Sequence, residues 1–141
     1  MLVAMGPDMR DVIRAGLGAW SRGDLEGALE NLGPDIEFVS SGLFPGVEPV
    51  YCGHDGFRRF WSDLRETWVD ITFEIEHLVP GESPGVAVLG HFEATGRDGI
   101  GVGRPIGMVF SVRDGMVRRI ESHATWDAAC DAAGVAAEDR L

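Results

Sequence analysis

Three observations predict an α+β fold with helices and strands segregated along the chain. Apolar residues recur at helical spacing through the first half, alternate with a period of two through most of the second, and the two patterns never interleave as βαβ units. The 141 residues suit one domain spanning 1–141, with a core from about 8 to 134 and flexible termini at 1–7 and 135–141.

From Asp8 to Trp20, the residues Met9, Val12, Ile13, Leu17 and Trp20 fall on one helical stripe. Gly23 ends that helix, and Asp24 is placed to cap a second, short one running to Leu32, with Glu26 near its positive end. Gly33-Pro34 stops it, and Ile36 to Ser40 reads as a strand with Ile36, Phe38 and Ser40 on one side. Ser41 to Gly53 reads as an irregular loop carrying Leu43, Phe44 and Val47. His54 or Asp55 begins a third helix with an aromatic-rich stripe of Phe57, Phe60, Trp61, Leu64 and Trp68; Arg58, Arg59, Asp63 and Glu66 form its other face.

From Val69 the period changes to two, with Val69, Ile71, Phe73, Ile75 and His77 on one parity and Asp70, Thr72, Glu74 and Glu76 on the other. Turns at Pro80–Gly85 and Gly96–Gly101 bound a strand from Val86 to Thr95. Next comes a strand from Val102 to Val112, and Asp114-Gly115 marks a hairpin into a last strand from Met116 to Thr125. Asp127 is placed to cap a terminal helix ending near Gly134. Gly99, Gly101 and Gly103 lie in a hairpin turn and its following strand, so they are no dinucleotide fingerprint.

The net charge is −11, and all twelve basic residues are Arg. An acidic balance of that size argues against nucleic-acid binding and against a polybasic membrane anchor. The absence of Lys removes side-chain Schiff-base chemistry. Met1 to Met5 has no basic start and too short an apolar run for a signal peptide, so a cytoplasmic location is expected. Cys52 and Cys130 lack paired-cysteine spacing and read as free thiols. His91-x-Glu93 resembles one element of zinc deaminases, but no cysteine pair completes it, and no metal is expected.

Several segments together carry a family resemblance: Ala19-Trp20-Ser21-Arg22-Gly23-Asp24, Pro34-Asp35-Ile36-Glu37-Phe38, Tyr51-Cys52-Gly53-His54-Asp55-Gly56, Phe110-Ser111-Val112-Arg113-Asp114-Gly115-Met116-Val117 and Trp126-Asp127-Ala128-Ala129-Cys130-Asp131-Ala132-Ala133-Gly134. In order and spacing they resemble the nuclear transport factor 2-like superfamily, and within it the SnoaL-like branch related to polyketide cyclases. The resemblance implies a cystatin-like cone, a curved and mostly antiparallel sheet wrapped around three N-terminal-half helices, with a short C-terminal helix. It also implies a pocket for a small, largely apolar or aromatic molecule, with cofactor-independent isomerisation, cyclisation or hydration. A non-catalytic ligand-binding or dimerising module of the same fold is the alternative. Homodimerisation through the sheet face is implied as well, with Val109, Val117, Glu121 and His123 as contributors.

Strand parity nominates the pocket residues. Phe38, Ser40, Tyr51, Trp61, Ile106, Met108, Phe110 and Ser122 are the ligand-binding candidates. The first half of the Val86 strand is apolar on both parities and is expected to be buried on both sides; beyond it, Leu89, His91 and Glu93 share one face and Val88, Gly90 and Phe92 the other. In epoxide-hydrolase relatives a basic and an acidic residue two apart work inside the pocket. The resemblance therefore places His91 and Glu93 inward, Glu93 as acid/base in a poorly solvated site and His91 as its assistant. Of the 23 acidic residues, only Glu93 is assigned to the pocket.

The last hairpin admits two registers. A two-residue turn would put Glu121 and His123 beside Met108 and Phe110; a bulged turn at Gly115 would put Ile120 and Ser122 there, and this grouping of apolar with apolar is favoured. Relative to ketosteroid isomerases, the base position corresponds to Ser40, the oxyanion tyrosine to Gly16, and Pro105–Phe110 holds no acid, so that chemistry is disfavoured. Relative to epoxide hydrolases, the second acid's place corresponds to Ser122. Tyr51 is expected to find its hydrogen-bond partner in a ligand.

Overall fold

A computed structural model describes residues 7–40, 46–82 and 85–140. Helix α1 (Pro7–Ser21), helix α2 (Leu25–Leu29), strand β1 (Leu32–Val39), strand β2 (Val50–Cys52) and helix α3 (Gly53–Thr67) come first. Strands β3 (Trp68–Pro80), β4 (Gly85–Gly96), β5 (Gly101–Arg113) and β6 (Met116–His123) follow, then helix α4 (Trp126–Ala133) and a 3₁₀ turn at Ala137–Asp139. The six strands form one curved, unclosed sheet in the order β2-β1-β6-β5-β4-β3, antiparallel except where β1 runs parallel to β6. Among the described residues, no helix is long and apolar enough to cross a membrane.

The predicted elements are present, with local corrections. Asp24 caps α2 as expected, its carboxylate accepting from Gly27 N at 2.9 Å. That helix ends at Leu29 rather than Leu32, because Leu32 already pairs with Val117 of β6 and Pro34 favours extended backbone in its predecessor. The segment read as wholly irregular contains β2, paired with β1 through Tyr51 opposite Phe38. Thr125, not Asp127, caps α4, accepting from Ala128 N at 3.0 Å. Gly134 ends that helix in the left-handed region, as its position predicted. Val135 is buried beyond the expected core limit, and Arg140 reaches back to Val135 O and Asp131.

Two apolar clusters form on opposite faces of the sheet. The larger fills the concave side, where α1, α2 and α3 pack on Ile36, Phe38, Phe73, Val88, Phe92, Ile106, Met108, Phe110 and Ile120. The smaller lies on the convex side, where α4 sets Ala129, Cys130 and Ala133 on Val79, Ala87, Leu89 and Val109. This second cluster explains why the first half of β4 is apolar on both parities: Val86, Ala87, Val88 and Leu89 are all buried, alternately toward the main core and toward α4.

Two irregularities reset strand parity. Between Ile75 and His77 the register of β3 on β4 shifts, leaving Glu76 as the extra residue, so His77 leaves the concave parity of Ile71, Phe73 and Ile75. His77 packs instead against Trp126 of α4, with ring centroids 5.6 Å apart. In the last hairpin, Asp114 (φ 56°) and Gly115 (φ 74°) form the tight two-residue turn, and the register shift comes later, with Arg118 as the extra residue. Met108 therefore pairs with Ser122 and Phe110 with Ile120. The favoured grouping of Ile120 and Ser122 with the concave residues holds, but the bulge sits at Arg118 rather than Gly115.

Candidate functional site

The concave side holds a cavity of about 70 Å³ between the helices and the sheet. Val12, Gly16, Leu17 and Trp20 of α1 line it, with Ala28 of α2, Asn31, and Phe57, Phe60 and Leu64 of α3. The sheet contributes Leu32, Phe38, Phe73, Phe92, Ile106, Met108, Phe110, Val117, Ile120 and Ser122. Among the described residues the lining contains no carboxylate, imidazole or guanidinium; Asn31, Ser122 and the indole of Trp20 are its polar side chains. The wall is therefore suited to an uncharged occupant, because an ion transferred here would lose its hydration without gaining a counter-charge.

Of the eight ligand-binding candidates, Phe38, Ile106, Met108, Phe110 and Ser122 meet at this cavity. Ser40, Tyr51 and Trp61 do not line it. Ser40 is fully buried, but its hydroxyl donates to Glu48 O at 2.7 Å and so anchors the chain entering β2. Tyr51, 1% exposed, donates to Asp63 Oδ2 at 2.5 Å and accepts from Glu48 N at 2.9 Å. Its expected partner in a ligand is thus an internal carboxylate, on the helix face that sequence periodicity assigned to solvent. Burial first, and then the bond to Asp63, push the Tyr51 phenol up to about 12, with the Glu48 amide acting in the opposite direction. Trp61 packs edge-on against Trp20 and under the Arg65 guanidinium, 4.4 Å from its ring centroid. Leu43 and Phe44 of the loop read from Ser41 to Gly53 lie outside the described residues.

His91 and Glu93 take the opposite face from the one assigned to them. Both are exposed on the convex side, while Phe92 and Ala94 turn into the core. The physical reason is continuity of parity: Leu89 shares a face with His91 and Glu93, and that face is buried under α4 and not in the cavity. Past the end of α4 the same face meets solvent. There His91 Nδ1 lies 2.7 Å from Glu76 Oε2 and its ring meets the edge of Trp126. Glu93 lies with Asp70, Thr72 and Thr95 along an open surface groove, without the poorly solvated setting that acid/base work was expected to draw on.

The other named residues resolve similarly. His54 Nε2 sits 2.9 Å from Leu32 O and ties the start of α3 to β1, a helix-start role. His123 and Glu121 pair at 2.6 Å on the convex side. Val117 turns into the main core and Val109 lies beneath α4, so these two are not available to the sheet-face contact assigned to them.

Sequence reasoning missed the contribution of α1. Val12 and Leu17 were visible in its apolar stripe but read as packing, and Gly16 was noted only as the place of an absent tyrosine. In the structure Gly16 borders the cavity, and a Cβ built there meets no atom within 4 Å. The missing side chain is thus a source of the open space.

A curved sheet closed by three helices over an apolar cavity defines the class. The chain belongs to the SnoaL-like domain family, whose model matches residues 13–120. Among solved structures it is similar to an NTF2-like protein of unknown function from Burkholderia pseudomallei K96243, with 22% identity, a TM-score of 0.76, and coverage of 90% of this chain and 97% of that one. TerC co-crystallised with polyporic acid matches with 22% identity, a TM-score of 0.75, and 89% and 97% coverage. A candidate polyketide cyclase from Xanthomonas campestris pv. campestris matches with 17% identity, a TM-score of 0.72, and 86% and 93% coverage. At these identities the likeness is one of fold. No curated protein matches the chain.

Proposed function

We propose that the protein binds a small, uncharged, largely apolar molecule in the concave cavity and that this cavity performs no acid/base chemistry of its own. The observation that carries the reading is the composition of the wall: nineteen residues from all three N-terminal-half helices and from the sheet line it, and none has a side chain that titrates as a catalytic acid or base. Proton transfer needs such a group within hydrogen-bond reach of the reacting atom. His91 and Glu93, which would have supplied it, lie on the far side of the sheet. TerC, which is similar in fold, was co-crystallised with polyporic acid, and this supports small-molecule binding as the use of the fold here.

The cavity volume of about 70 Å³ takes several water-sized molecules; a single aromatic ring needs the flexible Met108 and Leu17 side chains to withdraw. Toluene is a suitable probe. It is expected to raise the thermal midpoint of the wild-type chain in a concentration-dependent way, because a ligand that binds only the folded state stabilises it by mass action. Gly16→Met fills the cavity from α1 at a position with open space, so this variant is expected to remain folded and to lose the toluene response. Equal toluene shifts in both proteins, or none in the wild type, would reject the reading.

A further inference from the structure

The cavity wall holds one hydroxyl that the protein itself does not use. Ser122 is 1% exposed and lines the cavity, and no hydrogen bond joins its Oγ to another described residue. On the same face Met108 lies directly across on β5, Ile106 and Phe110 diagonal to it and Ile120 two residues earlier on β6, while on the other side the β1 register of Phe38 with Ile120 and Val39 with Glu121 runs on to Ser40. The other polar strand residue of this depth behaves differently, since Ser40 satisfies its hydroxyl on Glu48 O.

A hydroxyl that opens only onto a largely apolar cavity forgoes a hydrogen bond, whereas Ala at the same place would carry no such cost. A lone water would satisfy the hydroxyl but leave the apolar wall around it unfilled, Asn31 and the Trp20 indole being the other polar side chains of that wall. A partner that arrives with an apolar body attached meets both needs.

We infer that Ser122 is the polar anchor of the cavity and that the ligand is a neutral apolar molecule carrying a single hydroxyl or carbonyl oxygen aimed at β6. This deepens the binding reading above and rests on it. A serine hydroxyl donates and accepts, so it serves either oxygen. A carboxylate or ammonium ligand is selected against, since no opposite charge lines the wall among the described residues. The anchor sets orientation and selectivity, and the surrounding Phe and Ile side chains supply the bulk of the contact.

The test compares phenol and toluene, two rings of similar size that differ in the oxygen, on the wild-type chain and on Ser122→Ala by titration calorimetry. Ser122→Ala is expected to weaken phenol by about three- to tenfold, the worth of one hydrogen bond, and to leave toluene unchanged or slightly tighter. Its thermal midpoint is expected to stay level or rise, whereas a hydroxyl that held the backbone together would lower it on removal. If toluene binds but Ser122→Ala moves both ligands alike, or moves neither, the anchor is wrong and the binding reading survives. If neither ring binds the wild-type chain, both fall.

Discussion

The two faces of the sheet are built from the same strands and do opposite things. On the concave face Phe38, Phe73, Phe92, Met108 and Phe110 meet helices across an apolar cavity; on the convex face the same strands present Glu74, His91, Glu93 and Glu121 to solvent wherever α4 does not cover them. The net charge of −11 is thus carried away from the site, and the cavity owes its character to the near absence of polar groups. A chain can be strongly acidic and still hold an uncharged apolar cavity one residue away from its carboxylates, because side chains alternate across a strand.

The contrast breaks most visibly in the core of the concave face. Phe60 is 3% exposed and packs its ring 4.2 Å from that of Phe38 and 5.6 Å from that of Tyr51. Phe60→Ala is expected to cost about 3–5 kcal/mol in denaturant unfolding. On the other face, α4 sits close to the sheet because Gly107 has no side chain: a Cβ there would lie 2.5 Å from Ala129 Cβ and 3.0 Å from Thr125 O. Gly107→Ala should cost about 1–3 kcal/mol and lower hydrogen-exchange protection in α4 more than in α3.

Tyr51 sharpens the comparison through pH. Its folded phenol is pushed up to about 12 from an ordinary 10.0, chiefly by burial and then by Asp63. The unfolded chain therefore loses this proton first, and the contribution is fully present below pH 10, declines above it and is lost as pH rises through about 12. It is the only tyrosine in the sequence, so near-ultraviolet absorbance reads it without overlap from a second phenol. A folded midpoint at the ordinary tyrosine value would contradict the buried pair. The smallest effect is expected at the exposed carboxylate: Glu93→Gln should change stability by less than about 0.5 kcal/mol and leave toluene binding intact.

Most of the fold was legible because period and punctuation agreed. Asp24, Gly23, Gly134 and the Asp114-Gly115 turn act where their local chemistry says they should, and Phe57, Phe60 and Leu64 of the α3 stripe face the core, while Trp61 lies outside it and Trp68 begins β3. The strip Val86–Leu89 announced burial on two sides, which α4 supplies. The site was less legible, for two physical reasons. A bulge leaves no signature in Ile75-Glu76-His77, yet it turns His77 to the other face. And on β4 the resemblance to epoxide hydrolases outweighed the residues themselves: His91 and Glu93 alternating with Phe92 and Ala94 is the ordinary pattern of a strand with one wet face, and the structure follows it. The Tyr51–Asp63 pair was hidden because it joins two elements twelve residues apart, one of them on a helix face that reads as solvated.

The central claim is that ligands enter the concave side and that the convex carboxylates take no part. Backbone and methyl NMR shifts of the wild-type chain during a toluene titration test it most directly. The account predicts saturable shifts concentrated at Gly16, Ile106, Met108, Ile120 and Ser122. The absence of any saturable shift, or shifts centred on His91 and Glu93, would contradict it.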